Sequence, residues 1–265
     1  MFNYVPVPAG LALFELVGFS PGGRFLAWEQ YGIQDGSGFP FCEISVMDVA
    51  SCSVLARHSE LYRFDEQEFF SMDVPVEWDA VLDTEEREQR FWEEYARPLA
   101  RQELQPLLDS LGIVEGNTGM HLVHHPACDL TDMAAPVRFT PGLAGPGFHS
   151  GPVYELLLEQ PSVEDPGIAM WEHGFMAEPS CLLLALSEQD SDSLVILVDE
   201  TGGWVDPQRW AYDFSIRDVF VYRDGWIAVV LRISVPGFEG PDIEYRVVTA
   251  RIPDMSPGYW YSSTG

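Results

Sequence analysis

Ile216-Arg-Asp-Val-Phe-Val-Tyr222, Arg223-Asp-Gly225, Trp226-Ile-Ala-Val-Val-Leu-Arg-Ile-Ser-Val235 and Ile243-Glu-Tyr-Arg-Val-Val-Thr-Ala-Arg-Ile252 decide the fold class of this chain. The apolar runs are dominated by β-branched and aromatic residues, which suit a pleated surface. A tight Arg-Asp-Gly turn separates the first two, and the Gly- and Pro-containing loop from Pro236 to Asp242 separates the last two. A lone hairpin buries one face only and needs a third strand or a packed sheet for stability. Strand, turn, strand, loop, strand therefore predicts an antiparallel meander.

The same plan recurs near the N-terminus. Phe14-Glu-Leu-Val-Gly-Phe19 leads through Ser20-Pro-Gly-Gly23 into Arg24-Phe-Leu-Ala-Trp-Glu-Gln-Tyr31, and a Gly-rich loop from Gly32 to Pro40 precedes Glu43-Ile-Ser-Val-Met-Asp-Val49. A third hairpin is expected from Cys181 to Leu186 and from Ser193 to Val198, around the polar turn Ser187 to Asp192. With 23 Gly and 20 Pro punctuating the chain, the expected architecture is mainly β, built from antiparallel meanders, propeller-like or sandwich. All 265 residues are assigned to a single mainly-β domain, because 46% apolar residues suffice for a sizeable core.

Residues 83–111 break the pattern and predict a helical insertion. Phe91, Tyr95 and Leu99 fall at i, i+4 spacing, and Leu104, Leu107, Leu108 and Leu111 continue beyond them. Pro98 and Pro106 should kink or restart the helix, and Gly112 should end it. Pro126 to Pro152, rich in Gly and Pro, reads as a long loop.

Charge narrows the function classes. Against 42 acidic residues stand 14 basic ones, all Arg, for a formal net charge of -28. Phosphate contacts need a basic face, so a nucleic-acid partner is excluded, and anionic membranes are disfavoured by the same sign. No apolar run reaches the roughly 18 residues of a membrane span. Cations and basic proteins are the partners such a surface attracts, although solubility alone accounts for acidity. The first residues lack the basic segment and apolar stretch of a signal peptide. Cys42, Cys52, Cys128 and Cys181 have no metal-type spacing, and the strand between Cys42 and Cys52 argues against a bridge joining them.

Four constellations could carry chemistry. Gly18-Phe-Ser20-Pro-Gly22 matches the nucleophile-elbow pattern, but Pro21 has no N–H to serve as oxyanion donor, so a hairpin turn is the expectation. His121-Leu-Val-His124-His125 is the one histidine cluster and a candidate Zn²⁺ site, joined in principle by His149 or His173, with His121 and His125 expected to share a face. Lying between Gly119 and Pro126, these histidines otherwise read as surface or loop residues. Asp35-Gly-Ser37-Gly38 and Glu239-Gly-Pro-Asp242 place oxygen ligands in Gly-rich loops at matching points of the repeat, making Asp35, Ser37, Glu239 and Asp242 candidate ligand or Ca²⁺ residues. Turn chemistry explains the same residues without any ion. Trp28, Trp204, Trp210 and Trp226 could line a sugar-binding face, but aromatics at strand positions are expected in the core.

Gly18-Phe-Ser-Pro-Gly-Gly-Arg-Phe-Leu-Ala-Trp28, Tyr31-Gly-Ile-Gln-Asp-Gly-Ser-Gly-Phe-Pro40 and Glu43 to Val49 resemble a bacterial family of predicted secreted proteins, domain of unknown function 2259. Phe214-Ser-Ile-Arg-Asp-Val219, Asp224-Gly-Trp226 and Asp242-Ile-Glu-Tyr-Arg-Val-Val-Thr249 are similar to its closing strands, and the helix between Arg97 and Gly112 fits its middle. The resemblance implies an extracytoplasmic location and transfers no catalytic residue. The leading expectation is a non-enzymatic acidic binding or interaction protein with no predicted cofactor. The alternatives are a carboxylate- or metal-dependent hydrolase and an acidic neutralising partner of a basic protein.

Overall fold

The computed structural model describes residues 12–34, 36–63, 94–125, 136–141, 152–162, 180–189, 194–201, 211–222, 225–236 and 241–252. Its elements in chain order are β1 (Leu13–Phe19), β2 (Phe25–Ile33), β3 (Pro40–Asp48), β4 (Ser53–Leu61), α1 (Arg97–Leu111), β5 (Met120–His124), β6 (Val137–Phe139), β7 (Tyr154–Glu159), β8 (Leu183–Glu188), β9 (Leu194–Asp199), β10 (Asp213–Tyr222), β11 (Trp226–Pro236) and β12 (Pro241–Arg251). They form three four-stranded antiparallel sheets, ordered β1-β2-β3-β4, β12-β11-β10-β5 and β6-β7-β8-β9. The fold is mainly β, as the hairpin grammar predicts, with meanders stacked as in a sandwich.

The sheet containing β10, β11 and β12 lies between the other two, and its sequence shows why. Ala228 and Val230 face a core shared with Phe19, Leu26, Trp28 and Phe41 of the N-terminal sheet. Their neighbours Ile227, Val229 and Leu231 face a second core shared with Leu156, Leu184 and Leu186 of the third sheet. A strand buried on both faces must be apolar at consecutive positions, and the run from Ile227 to Leu231 is the result. The two terminal meanders thus bury their apolar faces against each other, with Phe19 and Tyr222 stacked at 4.4 Å between ring centroids.

Helix α1 covers the outer face of the N-terminal sheet. Pro98 occupies its first turn, Pro106 is accommodated inside it, and Gly112 ends it in the left-handed conformation, φ 67°, donating to the Asp109 carbonyl. The expected face holds from Leu104 onward and departs at Leu99. Leu99 is 38% exposed, whereas Ala96 and Ala100 are fully buried and Leu104, Leu107 and Leu108 pack onto Ala27, Val46 and Ile44. The small alanines let the helix approach closely enough for Arg97 and Arg101 to reach the buried Glu29 on β2. Residues 83–93 of the expected insertion lie outside the described residues.

Two stretches read as loop contain strands. β6 sits within the Pro126 to Pro152 stretch because Val137 and Phe139 pair with Leu156 and Tyr154 and bury themselves in the second core. β5, which holds the histidine cluster, adds to the edge of the central sheet by pairing with β10. Among the described cysteines, Cys42, Cys52 and Cys181 are free, and Cys128 lies outside the described residues.

Candidate metal centre

The edge strand β5 enters after Gly119, whose φ of 75° suits glycine alone and whose hypothetical Cβ would lie 2.5 Å from the Val221 carbonyl oxygen. From there the β5–β10 register runs Met120 opposite Val221, His121 opposite Phe220, Val123 opposite Val219 and His124 opposite Asp218, leaving Leu122 as an extra residue. This bulge changes the side-chain parity. In a regular strand residues three apart point to opposite faces, but one extra residue returns His121 and His124 to the same face. Leu122 and Val123 both point to the other side and pack against the second core.

β10 contains a matching irregularity. Ile216 pairs with Leu231 and Asp218 with Val230, so Arg217 is the extra residue there. Asp218 is 2% exposed, yet its Oδ1 lies 2.8 Å from His121 Nε2 and 2.6 Å from His124 Nδ1. Its other oxygen, Oδ2, lies 3.3 Å from Arg217 Nη1. His121 is fixed by stacking on Phe220 at 4.3 Å and 12°, and His124 meets its edge at 5.5 Å. The Arg217 guanidinium lies over the rings of Phe14 and Tyr245, 5.3 and 5.1 Å from their centroids. Burial pushes the Tyr245 hydroxyl pKa up, with the Arg217 and Arg232 charges opposing.

One ring nitrogen each of His121 and His124 and one carboxylate oxygen of Asp218 all lie within 4.8 Å of one another. Two imidazole nitrogens and one carboxylate oxygen form a donor set for Zn²⁺ and neighbouring divalent ions. A tetrahedral centre with bonds of about 2.0–2.1 Å separates its ligand atoms by roughly 3.3 Å, so a bound ion would replace the two His–Asp hydrogen bonds and spread these atoms from 2.6–2.8 Å. Both imidazoles remain solvent-accessible, at 42% and 49% exposure, which leaves an entry path and room for further ligands.

The family model described as "Predicted secreted protein (DUF2259)" matches residues 27–251, which contain all three donor residues. The chain belongs to this family. Comparison with curated proteins and with solved structures gives no match. The family's description supports an extracytoplasmic location for this member, and no described helix is long and apolar enough to cross a membrane.

The other sequence candidates are distributed differently in this family member. His125 is not part of the donor group that joins His121 to His124 and Asp218; its backbone N–H donates to the Arg217 carbonyl at 2.7 Å. The expected His121 and His125 pairing assumed a regular four-residue repeat, and the bulge at Leu122 replaces it with His121 and His124. His149 and His173 lie outside the described residues, as do Asp35 and Glu239. Ser37 serves its own turn, donating to Gln34 Oε1 at 2.6 Å and accepting from the Phe39 N–H at 3.2 Å. Asp242 is 1% exposed within β12 rather than in an open loop, and its charge, after burial and Asp213, helps push Tyr212 up to about 12.

Ser20 is a turn residue, as Pro21 implied: its Oγ accepts from the Phe25 N–H at 3.0 Å, and its carbonyl accepts from Gly23 at 2.8 Å. Trp28 is 2% exposed in the first core and Trp226 packs against it, while Trp204 and Trp210 lie outside the described residues. Asp218 and Arg217 were missed. The signal lay in their adjacency: a charged pair inside a run, Ile216 to Tyr222, that is otherwise apolar on both faces.

Proposed function

We propose that this secreted-family member is a non-enzymatic binding protein whose ligand is a divalent transition-metal ion held by His121, His124 and Asp218. The observation that carries the reading is the convergence of three donor atoms within 4.8 Å, two from the accessible edge strand β5 and one from its neighbour β10, a carboxylate 2% exposed. A net charge of -28 raises the local cation concentration around the molecule. The nitrogen donors favour Zn²⁺, Cu²⁺ or Ni²⁺ over Ca²⁺, which prefers six to eight oxygens.

The test is calorimetric titration of the full chain, stripped with chelator, with Zn²⁺. One equivalent should bind to the wild type and to His125→Ala, and none with comparable affinity to His121→Ala, His124→Ala or Asp218→Asn. Affinity should fall on acidification, because protons compete for the imidazole nitrogens. At free Zn²⁺ a hundredfold above Kd, wild-type stability should rise by about 2.7 kcal/mol. Absence of zinc binding by the folded wild type overturns the proposal. Hydrolysis of an ester or phosphoester by the zinc-loaded protein, lost in Asp218→Asn, would replace binding with the catalytic alternative.

A further inference from the structure

Building on the metal reading, we infer that Arg217 is the specificity-determining residue of the centre: it occupies one Asp218 oxygen so that the carboxylate offers only the other to a metal. The two oxygens of Asp218 face different partners. Oδ1 meets both imidazoles, at 2.8 and 2.6 Å, while Oδ2 meets Arg217 Nη1 at 3.3 Å.

Arg217 is poorly free to leave. Its side chain is 18% exposed, its guanidinium lies over the rings of Phe14 and Tyr245, and Nη1 reaches the Phe14 carbonyl at 3.5 Å. The bulge in β10 makes the arrangement attainable, because neighbours in a regular strand point to opposite faces whereas Arg217, as the inserted residue, can turn toward Asp218.

A carboxylate restricted to one oxygen suits a small tetrahedral ion with two imidazoles. It suits Ca²⁺ poorly, because Ca²⁺ needs six to eight oxygens and here loses one that a bidentate carboxylate would add. Arg217 also opposes metal binding through its charge, so its two effects have opposite signs. As a mere neighbouring cation, it would weaken zinc binding, and removing it would tighten the complex. As the residue that orients Asp218, it strengthens zinc binding, and removing it weakens the complex by the 10–100-fold typical of partners that orient a ligand.

Arg217→Met retains an apolar stem against Phe14 and Tyr245 while deleting the charge and the ion pair with Asp218, and Arg217→Lys retains the charge without the planar fork. Zn²⁺ and Ca²⁺ titrations of wild type and both variants are compared after circular dichroism confirms folding. Visible spectra of the Co²⁺-loaded proteins report coordination number. The expected result is zinc affinity reduced about 10–100-fold in Arg217→Met, with a smaller loss in Arg217→Lys. The zinc-to-calcium preference should narrow, and the Co²⁺ bands should weaken as Asp218 becomes bidentate. Equal or tighter zinc binding by folded Arg217→Met, with an unchanged Co²⁺ spectrum, overturns the assignment while leaving the metal centre intact. Failure of the wild type to bind zinc overturns the centre itself.

Discussion

Replacing Glu29 with Gln should detach helix α1 from the N-terminal sheet more effectively than any other single charge removal there. Glu29 is 0% exposed and carries two guanidinium groups. Arg97 Nε donates to its Oε1 at 2.7 Å with Nη2 against the same oxygen, and Arg101 donates to Oε2 and Oε1, both at 3.0 Å. Burial would lower the pKa of both arginines, but Glu29 together with Tyr31 and Glu15 beside Arg97, and with Glu115 beside Arg101, outweighs it and raises them.

Breaking a buried pair from one side costs about 3–5 kcal/mol, because the remaining charge is left in a poor solvent. Arg97 retains Glu15, and Arg101 retains Glu115 at 2.6 Å, so the lower end, about 3 kcal/mol, applies. For a chain of this size that corresponds to a fall in Tm of roughly 6–12 °C. Glu15→Gln is the control: its side chain is 43% exposed, so the loss should stay within about 1 kcal/mol. Urea and thermal unfolding followed by circular dichroism measure both. Equal losses below about 1 kcal/mol would show that the cluster is ornamental and that the alanine and leucine face alone docks the helix. Replacing Glu29, Arg97 and Arg101 together with Leu, Met and Met should restore most of the stability, since no buried charge is then left unpaired and the freed Glu15 and Glu115 face water.

Three further outcomes follow from the geometry. Exchanging the side chains of Val123 and His124, by Val123→His with His124→Val, should abolish zinc binding, because the bulge at Leu122 sends position 123 to the second-core side; a regular strand would instead bring the relocated imidazole to the face of His121, so retained affinity measured by titration refutes the bulge. Iodoacetamide followed by peptide mapping should label Cys52 in the native protein and spare Cys42 and Cys181, because Cys52 is exposed whereas burial pushes the Cys42 thiol far above its ordinary range; native labelling of Cys42 would contradict its place under Ala96 and Ala100. The Asp48 carboxyl sits below its ordinary pKa, chiefly through the Ser51 N–H, so its contribution is present above the unfolded value and vanishes as pH falls through the folded one; the stability gap between wild type and Asp48→Asn should begin to shrink below about pH 4, and a gap that is independent of pH across the acid range would sink the assignment.

How far the sequence could be read depended on the range over which each feature is determined. Strand identity and hairpin pairing are local, and the runs around Ser20 to Gly23 and Arg223 to Gly225 announced them. The central place of the C-terminal meander is not given by hairpin grammar; it follows from Ile227, Val229 and Leu231 entering one core while Ala228 and Val230 enter the other. Helix α1 was legible in its end at Gly112 and in the face carrying Leu104, Leu107 and Leu108, but not at its first turn. Leu99 carries the larger side chain, yet Ala96 and Ala100 are buried because small residues let the backbone approach a sheet whose Glu29 requires two arginines.

The candidate centre was legible only by halves, for a reason that periodicity cannot repair. His121 and His124 are separated from Asp218 by 97 and 94 residues and meet through pairing between β5 and β10, which neither strand announces alone. Two bulges then set which side chains converge: Leu122 returns His124 to the face of His121, and Arg217 places a guanidinium beside the carboxylate both histidines reach. A bulge leaves the composition of a strand unchanged while inverting the parity of everything beyond it. Residue types therefore offered His121, His124 and His125 as candidate donors beside a surface-residue reading, while the identity of the converging pair followed from one unpaired residue in each strand.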